Sequence, residues 1–152
     1  MHLIVDGYEV DRGKMQDLEQ VYELLDRYPS QIGMTKIAPP YVFRYVGSKP
    51  QDWGISGFVL IAESHISIHT FPEHSYVNID IFSCKDFDVD QALRDLRDWL
   101  GTDKLRSYVI KRGLDHLSPD LIGEDTEEVA PIPSGRLQVF VPPINRGRER
   151  WP

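Results

Sequence analysis

Apolar and polar residues alternate with a period of two over residues 76–84, YVNIDIFSC. Val77, Ile79 and Ile81 fall on one side, and Tyr76, Asn78 and Asp80 on the other, the pattern of a strand with one buried face. The stretches SGFVLIA (56–62) and HISIHT (65–70) are predicted as the preceding strands, with FPEHS as the turn before the last one. HLIVDGY (2–8), YVFRYV (41–46, after the Pro39-Pro40 break) and LRSYVIK (105–111) complete the strands, and GSKPQDWG is expected to be a loop. Helical spacing appears twice. Over residues 14–28 it aligns Met15, Leu18, Val21, Tyr22 and Leu25, with Pro29 expected just beyond the end. Over residues 88–100 it aligns Ala92, Leu93, Leu96, Trp99 and Leu100, with Asp88 or Asp90 as the cap.

The order strand, helix, several strands, helix, strand predicts an α/β fold. It is a two-layer α/β sandwich, a mostly antiparallel sheet with two helices on one face. The other face then needs cover, which a partner protomer would supply. The pattern holds for residues 1–118, taken as one domain. Residues 119–152 carry six of the 11 prolines, the acidic run EDTEE and the basic end NRGRERWP, and are expected to form an extended or partly disordered tail. Within that tail LQVFVPP (137–143) is apolar enough to dock on the body.

Composition narrows the partners. Lys and Arg number 17 against 24 Asp and Glu, a net charge of −7, which argues against nucleic acid or an anionic membrane. No run approaches the roughly 18–20 apolar residues that span a bilayer. No basic segment followed by a long apolar run opens the chain, so no secretory signal is expected and the cytoplasm is the expected location. The single cysteine, Cys84, has no intramolecular disulfide partner, and no CxxC motif suggests zinc.

The hairpin around residue 74 sets the candidate chemistry. A turn centred there places Ser64 opposite Cys84, so a hydroxyl and the lone thiol would share one small site. Ser64 and His69 are five residues apart, so a regular strand sends them to opposite faces. They would also lie about 16 Å apart along the strand. A bulge, or the histidine of a second protomer in a two-fold dimer, would be needed to bring them together. Simpler roles exist for each residue. A lone cysteine is most often packing. His65 and His69 on a strand are too far apart for common metal ligation, so no metal site is expected. A serine hydrolase reading lacks the G-x-S-x-G elbow.

The segment ESHISIHTFPEHSYVNIDIFSC, preceded by SGFVLIA, resembles the prokaryotic class of S-adenosylmethionine decarboxylase, small pyruvoyl-dependent enzymes made as proenzymes. Glu63, Ser64, His65, Ile68, His69, Thr70, Phe71, Pro72, Glu73, Asp80 and Cys84 fit the family pattern. The match is dense over 56–84 and looser from residue 2 to about 113. The resemblance implies self-cleavage between Glu63 and Ser64 through an N→O acyl shift, then elimination that turns Ser64 into the pyruvoyl group. That group would form a Schiff base with the substrate amine and serve as electron sink, with no metal and no pyridoxal phosphate. The resemblance also implies that Ser56 stabilises the processing oxyanion, His69 assists proton removal and Cys84 donates a proton to carbon. Glu73 would hold the ribose hydroxyls, with Trp53, Phe71 and His65 as further candidate substrate contacts. It implies a homodimer with sites shared between protomers, making decarboxylated S-adenosylmethionine for spermidine and other polyamines.

The chain departs from the family at one point. Pro50 stands where the family has an aromatic platform for adenine, six residues before the position of Ser56; Trp53, Tyr45 and Phe43 are the substitutes nearby. Decarboxylation of arginine or ornithine on the same fold is the alternative substrate reading. A non-catalytic ligand-binding or regulatory homologue and a thiol hydrolase using Cys84 and His69 are the remaining hypotheses.

Overall fold

A computed structural model describes residues 1–111. The tail expected over 119–152 lies outside the described residues. Six strands run β1 (His2–Tyr8), β2 (Tyr41–Val46), β3 (Trp53–Ile61), β4 (Ser64–Phe71), β5 (Tyr76–Ser83) and β6 (Leu105–Ile110). They form one sheet in the order β2-β3-β4-β5-β1-β6, and every neighbouring pair is antiparallel. Three helices accompany them: α1 (Arg12–Gln16), α2 (Leu18–Gln31) and α3 (Val89–Leu100).

The core lies between one sheet face and the helices. Leu3, Val5, Val59, Ile61, Ile66, Ile68, Val77, Ile79 and Ile81 are buried together with Val21, Leu25, Ala92, Leu96 and Leu100. Gly57 on β3 lets α2 come close, because a Cβ there would stand 2.8 Å from Leu25 Cδ1. The α3 stripe is as its spacing predicts, with Leu93 and Trp99 partly buried at its margin. Asp88 caps that helix by accepting from the Gln91 N–H at 2.8 Å.

The expected helix over 14–28 is instead two. Asp17 is extended (φ −94°, ψ 107°) and its carboxylate accepts from the N–H groups of Glu19 and Gln20 at 3.0 and 3.2 Å. An aspartate in this conformation starts a new helix more favourably than it continues an old one. The break alters the helical face, so Leu18 and Tyr22, expected in the buried stripe, are 45% and 38% exposed. Pro29 lies inside α2, near its end, rather than beyond it. There its missing N–H removes one bond, while its ring is buried and its carbonyl accepts from Met34 N–H at 2.8 Å.

The predicted hairpin turn is one residue out of step. Pro72–His74 forms a short 3-10 turn closed by Ser75 in the left-handed region (φ 48°), so Phe71 pairs with Tyr76. The register therefore puts Ser64 opposite Ser83, not Cys84. β3 also begins earlier than expected, at Trp53, inside the segment expected to be a loop.

The second sheet face has no helix over it. Tyr41, Phe43, Phe58, Leu60, Phe71 and Tyr108 are all exposed large side chains on it. Tyr41 and Phe58 are cross-strand partners with ring centroids 5.9 Å apart.

Candidate active site

The chain reverses between β3 and β4 at Ala62-Glu63. Two donors from one residue meet the Glu63 carbonyl oxygen: the Cys84 N–H at 2.9 Å and the Cys84 thiol at 3.0 Å. The register shift explains this pairing, since it moves Cys84 from opposite Ser64 to opposite Glu63. The lone cysteine thus faces the carbonyl itself rather than the serine hydroxyl. Hydrogen bonds converging on a carbonyl oxygen polarise its carbon and stabilise charge that develops there on attack.

The Glu63 side chain is also held. Its Oε2 accepts from the Thr35 N–H at 3.1 Å, while Ala62 N–H donates to Thr35 O at 2.8 Å. Lys36 forms a bridge with Ile61 just before the reversal. Ser64 is half-buried, and its hydroxyl lies 3.1 Å from His65 Nδ1. The His65 ring in turn meets Phe82 edge-on at 5.7 Å.

A second group sits elsewhere. Ser56 and His69 are cross-strand partners on the uncovered face, with Ser56 Oγ 2.9 Å from His69 Nδ1. They belong to a row that crosses the sheet: Phe43, Ser56, His69, Asn78, Asp6, Arg106. His69 is five residues along β4 from Ser64, about 16 Å. β4 carries no bulge between them, because the pairing with β5 is continuous from Ser64 to Phe71. Within one chain, therefore, neither Ser56 nor His69 reaches the Glu63 carbonyl.

The third group lies at the far end of β4. Glu73 Oε1 accepts from Trp53 Nε1–H at 3.0 Å and from the Arg12 guanidinium. Arg44 stacks over the Trp53 ring, its Cζ 4.3 Å from the centroid. Phe71 packs on Tyr76 at 5.6 Å and lines the uncovered face. Tyr76 donates to Asp6 at 2.8 Å; partial burial first, and then this bond, hold its phenol above the ordinary value.

Sequence reasoning missed Thr35, Arg12 and Arg44, whose roles depend on contacts between remote segments. It also missed the part played by Thr70. This buried hydroxyl accepts from Ile55 N–H at 2.8 Å and donates to Met15 O at 2.9 Å, tying β3, β4 and α1 together behind the site. A buried threonine between a histidine and a phenylalanine on an otherwise apolar face was the available signal. Among the described residues no cluster of three or more His, Cys, Asp or Glu could hold a metal ion. No described helix is long and apolar enough to cross a membrane.

A six-stranded antiparallel sheet backed by helices on one face, with a doubly hydrogen-bonded carbonyl before a serine at a strand start, defines an α/β class of protein. The chain belongs to the S-adenosylmethionine decarboxylase family, whose profile matches residues 1–113. It is accordingly a decarboxylase, a carboxy-lyase. The S-adenosylmethionine decarboxylase proenzyme of Archaeoglobus fulgidus is 34% identical over 113 residues, covering 74% of this chain and 96% of that protein. The proenzyme of Aquifex aeolicus is 40% identical over 86 residues, covering 57% of this chain and 59% of that protein. The crystal structure of the Aquifex aeolicus adenosylmethionine decarboxylase superposes with a TM-score of 0.60 at 33% identity, over 74% of this chain and 89% of that one. These relatives favour S-adenosylmethionine over the arginine or ornithine alternative.

Proposed function

We propose that this chain is a self-processing, pyruvoyl-dependent decarboxylase that converts S-adenosylmethionine to decarboxylated S-adenosylmethionine, the aminopropyl donor of spermidine synthesis. The observation that carries the reading is the Glu63 carbonyl under two Cys84 donors, with the Ser64 hydroxyl as the next side chain. Ser64 Oγ attacks the Glu63 carbonyl carbon, and the Cys84 N–H and thiol take up the charge that builds on oxygen. Collapse breaks the amide C–N bond and leaves an ester. A base then removes the Ser64 Cα proton, and the Glu63 carboxylate departs as the new end of the N-terminal fragment. Hydrolysis of the resulting dehydroalanine releases ammonia and leaves a pyruvoyl group at position 64.

Ser64 and its neighbours fit that group: the site is half-buried and fitted with a thiol beside the reacting carbonyl. Once formed, the group supplies the electron sink for loss of carbon dioxide. In this reading Cys84 returns a proton to carbon, and Glu73, farther along the chain from Ser64 than His69, accepts hydrogen bonds from the ribose as a residue of the partner protomer.

Ser56 and His69 act from the partner protomer. Their distance from Ser64 and the exposed aromatic face around them support a homodimer with mixed sites, because contiguous exposed apolar surface marks an interaction surface. The functional unit is a cytoplasmic homodimer acting on a small molecule.

Denaturing mass spectrometry of the purified protein tests processing. Two fragments divided between Glu63 and Ser64 are expected, the C-terminal one without a free α-amine, while Ser64→Ala stays intact. An unprocessed wild-type chain after long incubation overturns the reading. Carbon dioxide release from S-adenosylmethionine, arginine and ornithine, compared side by side, tests the substrate; exclusive turnover of a basic amino acid overturns that part.

A further inference from the structure

The peptide bond between Glu63 and Ser64 lies at the strained start of β4. Ser64 has a φ of 156°, and among the described residues other than glycine only Glu9 and Ser75 share a positive value. An L-residue keeps such an angle when its surroundings hold it there. Both sides of this bond are held. Glu63 is bonded through its carbonyl oxygen to the Cys84 N–H and thiol, and through Oε2 to the Thr35 N–H. Ser64 pairs with Ser83 on β5.

The angle has a stereochemical consequence. About the N–Cα bond of an L-residue, Cβ stands about 120° from that residue's own carbonyl carbon. At φ 156° the Ser64 Cβ is therefore turned to roughly 35° from the Glu63 carbonyl carbon, whereas an ordinary strand φ of about −140° would leave it roughly 100° away. Attack of Oγ on that carbon closes a five-membered ring through N, Cα and Cβ, and such a ring admits only small torsions. The positive φ thus gives Ser64 the backbone geometry of the attack before the reaction starts.

The attack also needs a proton acceptor. Ser64 Oγ lies 3.1 Å from His65 Nδ1, within the reach of a general base. The His65 ring is steadied by its cross-strand neighbour Phe82, which it meets edge-on at 5.7 Å. His69 is about 16 Å away along the strand. The Glu63 carboxylate is turned to Thr35, and the Cys84 thiol serves as a donor to the carbonyl. We propose that His65 is the catalytic base of the acyl shift, acting within one protomer on a serine whose backbone already holds the attacking conformation. With its own proton on Nε2, His65 takes the Ser64 hydroxyl proton at Nδ1 as the Oγ–C bond forms. It passes that proton to the Ser64 nitrogen as the C–N bond breaks. The shift therefore ends with a neutral imidazole, an ester and a free amine, and the partner's His69 is left the later removal of the Cα proton. This inference rests on the self-processing reading made under the proposed function.

The experiment uses the full-length chain in a His69→Ala background, in which elimination is blocked and the ester collects. Hydroxylamine cleaves an ester and spares an amide, so the rate at which it divides the chain between Glu63 and Ser64, followed by mass spectrometry, measures the shift. His65→Asn keeps a polar group near the position of Nδ1 but cannot take the proton. It should slow hydroxylamine cleavage about 10²-fold, the lower end for a general base. His65→Phe keeps a ring against Phe82 and should slow it as much; it carries the test if circular dichroism shows that His65→Asn does not fold. A folded variant that is cleaved as fast as its His69→Ala parent overturns the inference. So does a His69→Ala chain that hydroxylamine does not cleave beside a wild type that processes, because the shift would then depend on His69. A wild type that never cleaves, with or without hydroxylamine, overturns the self-processing reading instead, so the two failures are distinct.

Discussion

Cys84 bonds the Glu63 carbonyl oxygen twice, through its backbone N–H at 2.9 Å and its thiol at 3.0 Å. The two donors have different fates on mutation, which separates their contributions. Cys84→Ala removes the thiol and leaves the N–H, so self-cleavage should slow by about 10²-fold, the lower end for one lost oxyanion donor. Cys84→Ser keeps a donor and should cleave faster than Cys84→Ala. Gel densitometry of freshly translated chains over time reads both rates. Equal rates for all three proteins would remove the thiol from processing.

The separation of His69 from Ser64 makes a prediction about mixing. Ser64→Ala and His69→Ala chains should each remain uncleaved alone. Refolded together, they form mixed dimers in which one site combines Ser64 of one chain with His69 of the other. The His69→Ala chain should then be cleaved, in up to about half of its copies by random pairing. Mass spectrometry identifies the cleaved chain. No cleavage in a mixture shown to contain mixed dimers would place His69 action within one protomer.

Thr70 is a structural member of the motif. Thr70→Val keeps the shape but leaves the Ile55 N–H and the Met15 carbonyl without the hydroxyl they share. Loss of these buried bonds should cost about 2 kcal/mol of folding stability or more. Urea unfolding of the Ser64→Ala background, which stays a single chain, measures it. An unchanged midpoint would show that water or backbone readjustment satisfies both groups.

Asp17 predicts an acid-sensitive helix start. Its bonds to Gln20, first the backbone N–H and then the side chain, together with the Glu19 N–H, outweigh a smaller opposing effect of desolvation and hold its carboxyl below the ordinary aspartate value. A depressed folded value contributes stability that is fully present above the unfolded pKa and is lost as pH falls through the folded one. Asp17→Asn should therefore flatten the decline in thermal stability below about pH 4 while leaving the neutral-pH fold intact. Parallel melts of the two proteins between pH 2 and pH 7 would show it, and superimposable pH profiles would count against it.

The legibility of this chain divides along the range of the interactions. The alternation of Val77, Ile79 and Ile81 and the spacing of Ala92, Leu96 and Leu100 were visible because each element buries its own face. The hairpin was legible to within one residue. That residue mattered, because the turn chemistry of Pro72–Ser75 decides whether Cys84 faces Ser64 or Glu63. The helix break was signalled by Asp17 and overlooked because Leu18 and Tyr22 continued the apolar spacing.

Residues 61–84 by themselves determined the candidate chemistry: a serine after a glutamate, a histidine of opposite parity and one cysteine. Strand parity follows from covalent geometry, so it required no knowledge of the fold. Only the tertiary structure decided which carbonyl the thiol meets, that the Thr35 N–H holds the Glu63 carboxylate, and that Arg12 and Trp53 converge on Glu73. Those contacts join segments far apart in the chain, and their geometry is set by how α1, α2 and the strands pack rather than by any local pattern.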